Sequence, residues 1–538
     1  MRTSGLLRGA RRWLRVAAVS LALALCGCAT QLPGADFPKP PSYALSQPAG
    51  TLLGNQYYNH GGAQAADRSG FKVLPRGLDG LAMRAQLIAV AEKTIDVQYY
   101  IFDEDQTGHL LVDGLLRAAD RGVRVRVLID DGDAAGRDAL IGSLDAHPNI
   151  EVRVFNPFSY RGSLKILRGL EFAFNAARLD YRMHNKLFVV DNAAALAGGR
   201  NVANEYFQVS PQYQLGDYDV FAAGPIVARL SRTFDEFWNS RLAIPVEALH
   251  GPTPETEFQA YRDRIRQDVA KMEATRSDVL GRVRSGEPLH ALLSGATPLT
   301  WAHAEVVYDP PEKLPPVNGN SIGKLMPPNI AKAAAGVRGE LLMITPYFVP
   351  GDEGMALFQL LRDRGVRIGV VTNSLESTNE AIAHSGYVHY RAALLQEGVA
   401  LHELRAHPDG PPAPGSLRSQ NPAPFGLHGK AFVFDRRRVY LGSMNFDQRS
   451  MHINTELGLL IDSAELARQV AGEFEVMADR ANSYTLALEP SPGGAPDHIV
   501  WRTSRQGQPV ELAEEPSSSL WRRLNAGLLS LLSLDGEL

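Results

Sequence analysis

The spacing of apolar positions changes period several times along the first third of the chain. In GLAMRAQLIAVAEK, Leu81, Ala85, Leu87, Ile88 and Ala91 recur at helical spacing and predict an amphipathic helix. The run from Ile95 to Phe102 that follows reads as a strand. LLVDGLLRAADRGVRVRVLIDD repeats the order: a helix, a stop at Gly122, then a buried strand of alternating Val and Arg that closes in carboxylates. Helices alternating with strands in this way predict βαβ units.

The pattern returns about 245 residues later. DRGVRVRVLID around Gly122 matches DRGVRIGVVTN around Gly365, and QYYIF from Gln98 answers TPYFV from Thr345. DYDVFAAGPIVARL from Asp217 aligns with ELGLLIDSAELARQV from Glu456. A constant separation over several segments marks duplication of one α/β unit. The expected division is a first unit at 71–244, a charged helical connecting segment at 245–305, a second unit at 306–485 and an extension at 486–538. In that extension Leu520, Trp521, Leu524, Leu528, Leu531 and Leu532 share a helical face beside Arg522 and Arg523, as in a docked terminal helix or an interfacial membrane helix.

The termini and composition narrow the class of protein. Five arginines precede an apolar run from Val16 to Gly27 that is short for a bilayer span, so residues 1–27 read as a secretion signal. Leu25-Cys26-Gly27-Cys28 resembles the bacterial lipobox, which makes Cys28 the expected lipidated N-terminus, an ordinary signal or short anchor helix being the alternative. The Pro- and Gly-rich residues 28–70 read as a tether. With both cysteines of the chain near this boundary, the mature protein has no disulfide in this reading. A formal net charge of -4 gives no sign of a generally basic surface for a polyanion, so nucleic acid is not the expected partner.

The strongest chemical signal is H-x-K-x4-D-x6-G-x2-N, present twice. The copies are His184, Lys186, Asp191, Gly198, Asn201 and His428, Lys430, Asp435, Gly442, Asn445. His and Lys two apart on a strand leave the same face, which sets an imidazole beside an ammonium. Doubled by a pseudo-twofold, the pair suits a phosphodiester: one His attacks phosphorus, the other protonates the leaving oxygen, and two Lys with two Asn neutralise the equatorial oxygens. The reading needs no metal and no cofactor.

These residues resemble the phospholipase D superfamily with two HKD motifs, and ITPYFVPG, TNSLESTNEAIAHSGYVHYR and the Leu-Trp-Arg-Arg tail are similar to its bacterial cardiolipin synthase C branch. The resemblance implies two duplicated α-β-α sandwich units packed about a pseudo-twofold with the active site between them. It also implies a phosphohistidine on His184, with His428 as general acid and then base. A carboxylate after each motif is expected to hold a catalytic imidazole and favour its charged form; the repeat identifies Asp217 and Glu456, and the resemblance implies a crossed pairing, Glu456 with His184 and Asp217 with His428. Asp219 is the alternative to Asp217. Asp191 and Asp435 take a structural role, holding the loop to Gly and Asn. Ser443, a further expected phosphate ligand, is Gly199 in the first copy, so one hydroxyl donor to phosphate is missing from that half.

The expected function is a membrane-anchored phosphatidyltransferase in the bacterial envelope, facing the periplasm, making cardiolipin from phosphatidylglycerol and a second phospholipid such as phosphatidylethanolamine. Hydrolysis to phosphatidic acid uses the same intermediate and stays open, with a phosphodiesterase acting on nucleic acid as a third reading. FNPFSYRGSLKILRGLEFAFNAAR before the first motif is either a segment that dips into lipid or a surface connection. HPDGPPAPGSLRSQNPAPFG before the second is either a lid or a connection.

Overall fold

The computed structural model describes residues 32–59, 67–132, 138–162, 164–313, 326–412, 416–491 and 497–517. The residues read as a secretion signal, Cys28 and the leucine-rich C-terminal run lie outside the described residues.

The first half carries β1 (Ser69–Leu74), α1 (Gly77–Val90), β2 (Thr94–Tyr99), α2 (Gln106–Asp120), β3 (Arg124–Asp130), β4 (Ile150–Phe155) and α3 (Lys165–Phe174), then β5 (Leu187–Val190), β6 (Ala194–Gly198), β7 (Asp219–Ala223) and α4 (Pro225–Trp238). Its strands lie in the order β1-β7-β6-β5-β2-β3-β4, with β2, β3 and β4 parallel. The second half repeats this. It has β8 (Thr300–Tyr308), β9 (Glu340–Ile344), α5 (Gly351–Asp363), β10 (Arg367–Asn373), α6 (Ala381–Val388), β11 (Ala400–Leu404), β12 (Lys430–Phe434), β13 (Arg438–Gly442), β14 (Leu457–Asp462) and α7 (Ala464–Ala478). The order is β8-β14-β13-β12-β9-β10-β11, with β9, β10 and β11 parallel. In both halves the repeated DRG ends a helix and turns into a strand, at Gly122 (φ 91°) and Gly365 (φ 77°). A β-carbon at either would meet nothing within 4 Å, so the left-handed backbone rather than lack of space calls for glycine.

The two sheets are one. Phe71 of β1 stands opposite Thr300 of β8, and from His303 to Tyr308 the same strand pairs with β14. Helices α4 and α7 lie in a shared core between the halves, where Phe234, Phe237 and Trp238 meet the cluster that holds Val470 and Phe474. Outer helices, α1 and α2 among them, cover the far face of the first half.

Three boundaries differ from the sequence reading. The connecting helices end at Leu293 and β8 begins at Thr300, inside the stretch expected to be helical, because β8 takes the place in the second half that β1 takes in the first. The stretch read as a tether is docked: the Lys39 ammonium donates to the carbonyls of Ser240, Arg241 and Ala243 at 2.9–3.0 Å, and Leu53 and Tyr57 are buried. The expected end of the second unit falls within β15 (Ser483–Glu489), which pairs with β11 and is followed by β16 (His498–Arg505) and β17 (Gln508–Leu512). Trp501 on β16 donates its indole N–H to Glu403 at 2.9 Å, which ties this extension to the core.

Candidate active site

Each motif begins on an extended segment that reaches into the opposite half. The His184 backbone N–H donates to the Thr455 carbonyl at 2.9 Å, and that of His428 to the Gly216 carbonyl at 2.8 Å. Thr455 and Gly216 are the residues just before Glu456 and Asp217. The same backbone grip therefore sets each imidazole against the carboxylate of the other copy: His184 Nδ1 lies 3.0 and 2.9 Å from the two Glu456 oxygens, and His428 Nδ1 lies 2.6 Å from Asp217 Oδ2. With Nδ1 engaged by a carboxylate, Nε2 of each ring is the nitrogen that the carboxylate leaves free.

Both histidines line one cleft of about 510 Å³, together with Asn201 and Asn445. Lys186 donates to the His184 carbonyl at 2.7 Å. Lys430 donates to the His428 carbonyl and lies 2.9 Å from His428 Nδ1 and 3.1 Å from Nε2. Asn201 accepts the Ile101 N–H through its side-chain oxygen at 3.2 Å, which anchors it just past the end of β2, beside Tyr100.

Several expected residues stand elsewhere. Asp191 and Asp435 are not in the cleft. Asp191 accepts the backbone N–H of Glu92, Lys93 and Thr94 at 2.8–3.0 Å, and Asp435 those of Arg338, Gly339 and Glu340, its shorter contacts being 2.7–3.0 Å. The motif aspartates thus tie the β5–β6 and β12–β13 turns to the starts of β2 and β9, rather than holding the loop to Gly and Asn. Ser443 is wholly buried and donates to Glu456, while its oxygen accepts the Leu457 N–H at 2.9 Å, so it stands behind the carboxylate and not on phosphate. The Gly199 position removes no phosphate donor: a β-carbon there would lie 2.4 Å from Asp217 Oδ1, and glycine is what lets the carboxylate sit. Asp219 is held by Arg84 at 2.8 Å and by Arg200, which leaves Asp217 to His428. The loop before the second motif is fastened to the first half, Ser419 donating to Gln214 and Asn421 to the Ser210 carbonyl, and adds no described residue to the cleft lining.

Electrostatically the halves differ. Burial pushes Glu456 up to about 7, although Lys186 and the hydroxyls of Ser443 and Ser450 pull the other way. Burial would also raise Asp217, but His428, Lys430 and Arg200 bring it down to about 2. His428 falls to about 3 through burial and then Lys430, against the pull of Asp217, and burial followed by Lys186 takes His184 well below its ordinary value. Asp217 does favour the charged form of His428, as expected, but loss of water and the adjacent ammonium outweigh it, and both imidazoles are held below their ordinary value. Burial also lowers Lys430 to about 8 and Lys186 well below the usual lysine range.

Sequence reasoning missed the aromatic surround. The Tyr100 ring stands 5.3 Å from His184 edge-on, and the Tyr206 and Tyr347 rings stand 4.9 and 6.4 Å from His428. The signal was present, since Tyr100 and Tyr347 occupy matching places in QYYIF and TPYFV. Also missed were Ser450, which donates to Glu456 at 2.9 Å, and the Arg449–Asp180 ion pair at 2.6 Å, whose two residues line the cleft from opposite halves.

Comparison with known proteins bears on most of the chain. Cardiolipin synthase C of Escherichia coli (strain K12) is 34% identical over 477 residues, which cover 88% of this chain and 97% of the relative. Cardiolipin synthase A of Pseudomonas syringae pv. syringae (strain B728a) is 26% identical over 403 residues, covering 74% and 66%. The crystal structure of phosphatidylserine synthase from Haemophilus influenzae Rd KW20 superposes with a TM-score of 0.51 over 80% of this chain and 91% of that one, at 15% identity, and so shares the fold. The family model described as cardiolipin synthase, PLD-like domain, matches residues 85–238 and 330–478, one stretch in each half, and the chain belongs to that family.

Proposed function

We propose that the chain makes cardiolipin by phosphatidyl transfer from a donor phospholipid to phosphatidylglycerol, through a phosphohistidine, with phosphatidylethanolamine the candidate donor. Its family makes it a phospholipase D-type phosphatidyltransferase acting on phospholipids. The observation that carries the reading further is the crossed pair of imidazoles opening on one cleft. In this mechanism His184 Nε2 attacks phosphorus, the bond from phosphorus to the headgroup oxygen breaks, and His428 Nε2, protonated when the substrate is bound, gives its proton to the departing alcohol. The ionised Asp217 supports that imidazolium; Glu456, whose charge burial holds in check, leaves His184 neutral and nucleophilic. A hydroxyl of phosphatidylglycerol then gives its proton to His428 and attacks phosphorus, and the nitrogen–phosphorus bond breaks. Lys186, Lys430, Asn201 and Asn445 are assigned to the phosphate oxygens.

Anchoring through a lipidated Cys28 at the periplasmic face belongs to the same proposal. It is checked by Cys28→Ala, which is expected to release the protein from the membrane fraction. For the reaction, full-length enzyme is incubated with phosphatidylglycerol vesicles, with and without phosphatidylethanolamine, beside His184→Ala and His428→Ala, and products are read by mass spectrometry. Cardiolipin formed by the wild type and by neither variant is the expected result, with free ethanolamine identifying the donor. Phosphatidic acid as the sole product would overturn transfer in favour of hydrolysis.

A further inference from the structure

Helix α3 turns its polar side to the protein and its apolar side outward. Toward the protein, the Arg168 guanidinium lies 3.8 Å from the centre of the Phe158 ring, and Glu171 accepts the backbone N–H of Ser159 and Tyr160 at 2.6 and 2.8 Å. On the other side, Ile166, Leu170 and Phe174, four residues apart, are 73%, 50% and 65% exposed, with Leu164 and Leu167 exposed beside them. No residue of this helix is buried. Among the described residues, other exposed large apolar side chains such as Leu360 and Val476 stand on separate elements, so this is a concentration rather than the usual scatter.

Position says what the stripe meets. Phe172 of α3 lines the cleft with His184 and His428, and the exposed Ile382 on α6 lines it from the other half. The helix that bears the stripe thus borders the cleft through Phe172, and Lys165 is exposed at its start, a cation suited to headgroup phosphates. Ten residues of helix are too short to span a bilayer and suited to lying in its surface.

We infer that α3 is an interfacial helix, seated in the surface of a phospholipid bilayer with Ile166, Leu170 and Phe174 among the acyl chains, and that it holds the cleft mouth at the level of the headgroups. The seating stands on the helix alone; its use, delivery of bilayer lipid to the cleft, rests on the function proposed above. The test uses full-length protein on vesicles of phosphatidylglycerol and phosphatidylethanolamine. With Phe174→p-benzoylphenylalanine, illumination is expected to give a phospholipid adduct at position 174, while Val476→p-benzoylphenylalanine gives none. The combined variant Ile166→Ser, Leu170→Ser, Phe174→Ser is expected to lose about tenfold in turnover of vesicle lipid and to keep wild-type turnover of a short-chain phosphatidylglycerol dissolved as monomers. Absence of a lipid adduct at 174 in a protein that makes cardiolipin from the same vesicles would overturn the inference, as would equal adducts at 174 and 476. An adduct at 174 alone, in a protein that turns over no phospholipid, would sink the proposed function and leave the interfacial helix standing.

Discussion

At position 199 a β-carbon would lie 2.4 Å from Asp217, whereas at the matching position 443 a hydroxyl donates to Glu456. The shorter carboxylate needs the space and the longer one uses the hydroxyl. Gly199→Ser is therefore expected to push Asp217 off His428 and lower kcat by about 10²-fold or more, a size typical for loss of acid–base catalysis. Ser443→Ala, which leaves Glu456 its bond from Ser450, is expected to lose about tenfold in the same assay. Titration supplies a second check. His428 sits at about 3 when folded against an ordinary value near 6.5, so on acidification the unfolded chain takes the proton first. The stability that neutral His428 contributes is full above pH 6.5 and is lost as pH falls toward 3, at about 1.4 kcal/mol per pH unit. Glu456, raised to about 7, acts in the opposite sense: its contribution is full below its ordinary 4.5 and is lost as pH rises through 7. Thermal unfolding between pH 4 and 8 is expected to show wild type losing ground to His428→Gln at the acid end and to Glu456→Gln at the alkaline end. The histidines and lysines were legible because their spacing repeats. The position of Ser443 behind a carboxylate was not, since a linear motif does not say which side of its strand end faces the cleft.

Among the secondary-structure elements, the two motif aspartates test what holds the turns. Both have left-handed backbones, at φ 53°, and both collect three backbone N–H groups. The hydrogen bonds to Asp191 are partly or fully buried, while two of the three to Asp435 are exposed. Asp191→Ala is accordingly expected to lower the unfolding free energy by about 3 kcal/mol, and Asp435→Ala by clearly less, in denaturant titrations, with activity per folded molecule retained. Helix and strand order in both halves could be read from periodicity. One feature misled it. β8 follows a charged helical stretch and exposes several of its side chains, so it did not read as part of a shared sheet. In β3, read as a buried strand of alternating Val and Arg, Arg126 is buried, pairs with Asp96 at 2.7 Å and Asp235 at 2.8 Å, and lies over the Phe234 ring, partners that the pattern did not name. Buried charge satisfied by partners distant in sequence leaves no trace in a hydrophobicity pattern.

At the scale of the molecule, each half supplies an imidazole to the other's carboxylate, and all four groups belong to one chain. A mixture of purified His184→Ala and His428→Ala proteins is therefore expected to show no more activity than the two measured apart. Recovery on mixing would mean that catalytic centres form between chains. The duplication was visible in the sequence; the single sheet running through both copies was not, because it depends on β8 pairing two ways. The crossed carboxylates also bear on descent. A gene reduced to either copy would encode an imidazole whose present carboxylate partner is gone, so a single half could complete a site only by pairing with a second molecule. Nor can one copy be replaced by the other's sequence piecemeal, because positions 199 and 217 must fit each other, as must 443 and 456, and each pair answers to a histidine in the other half. These residues are inherited as a set.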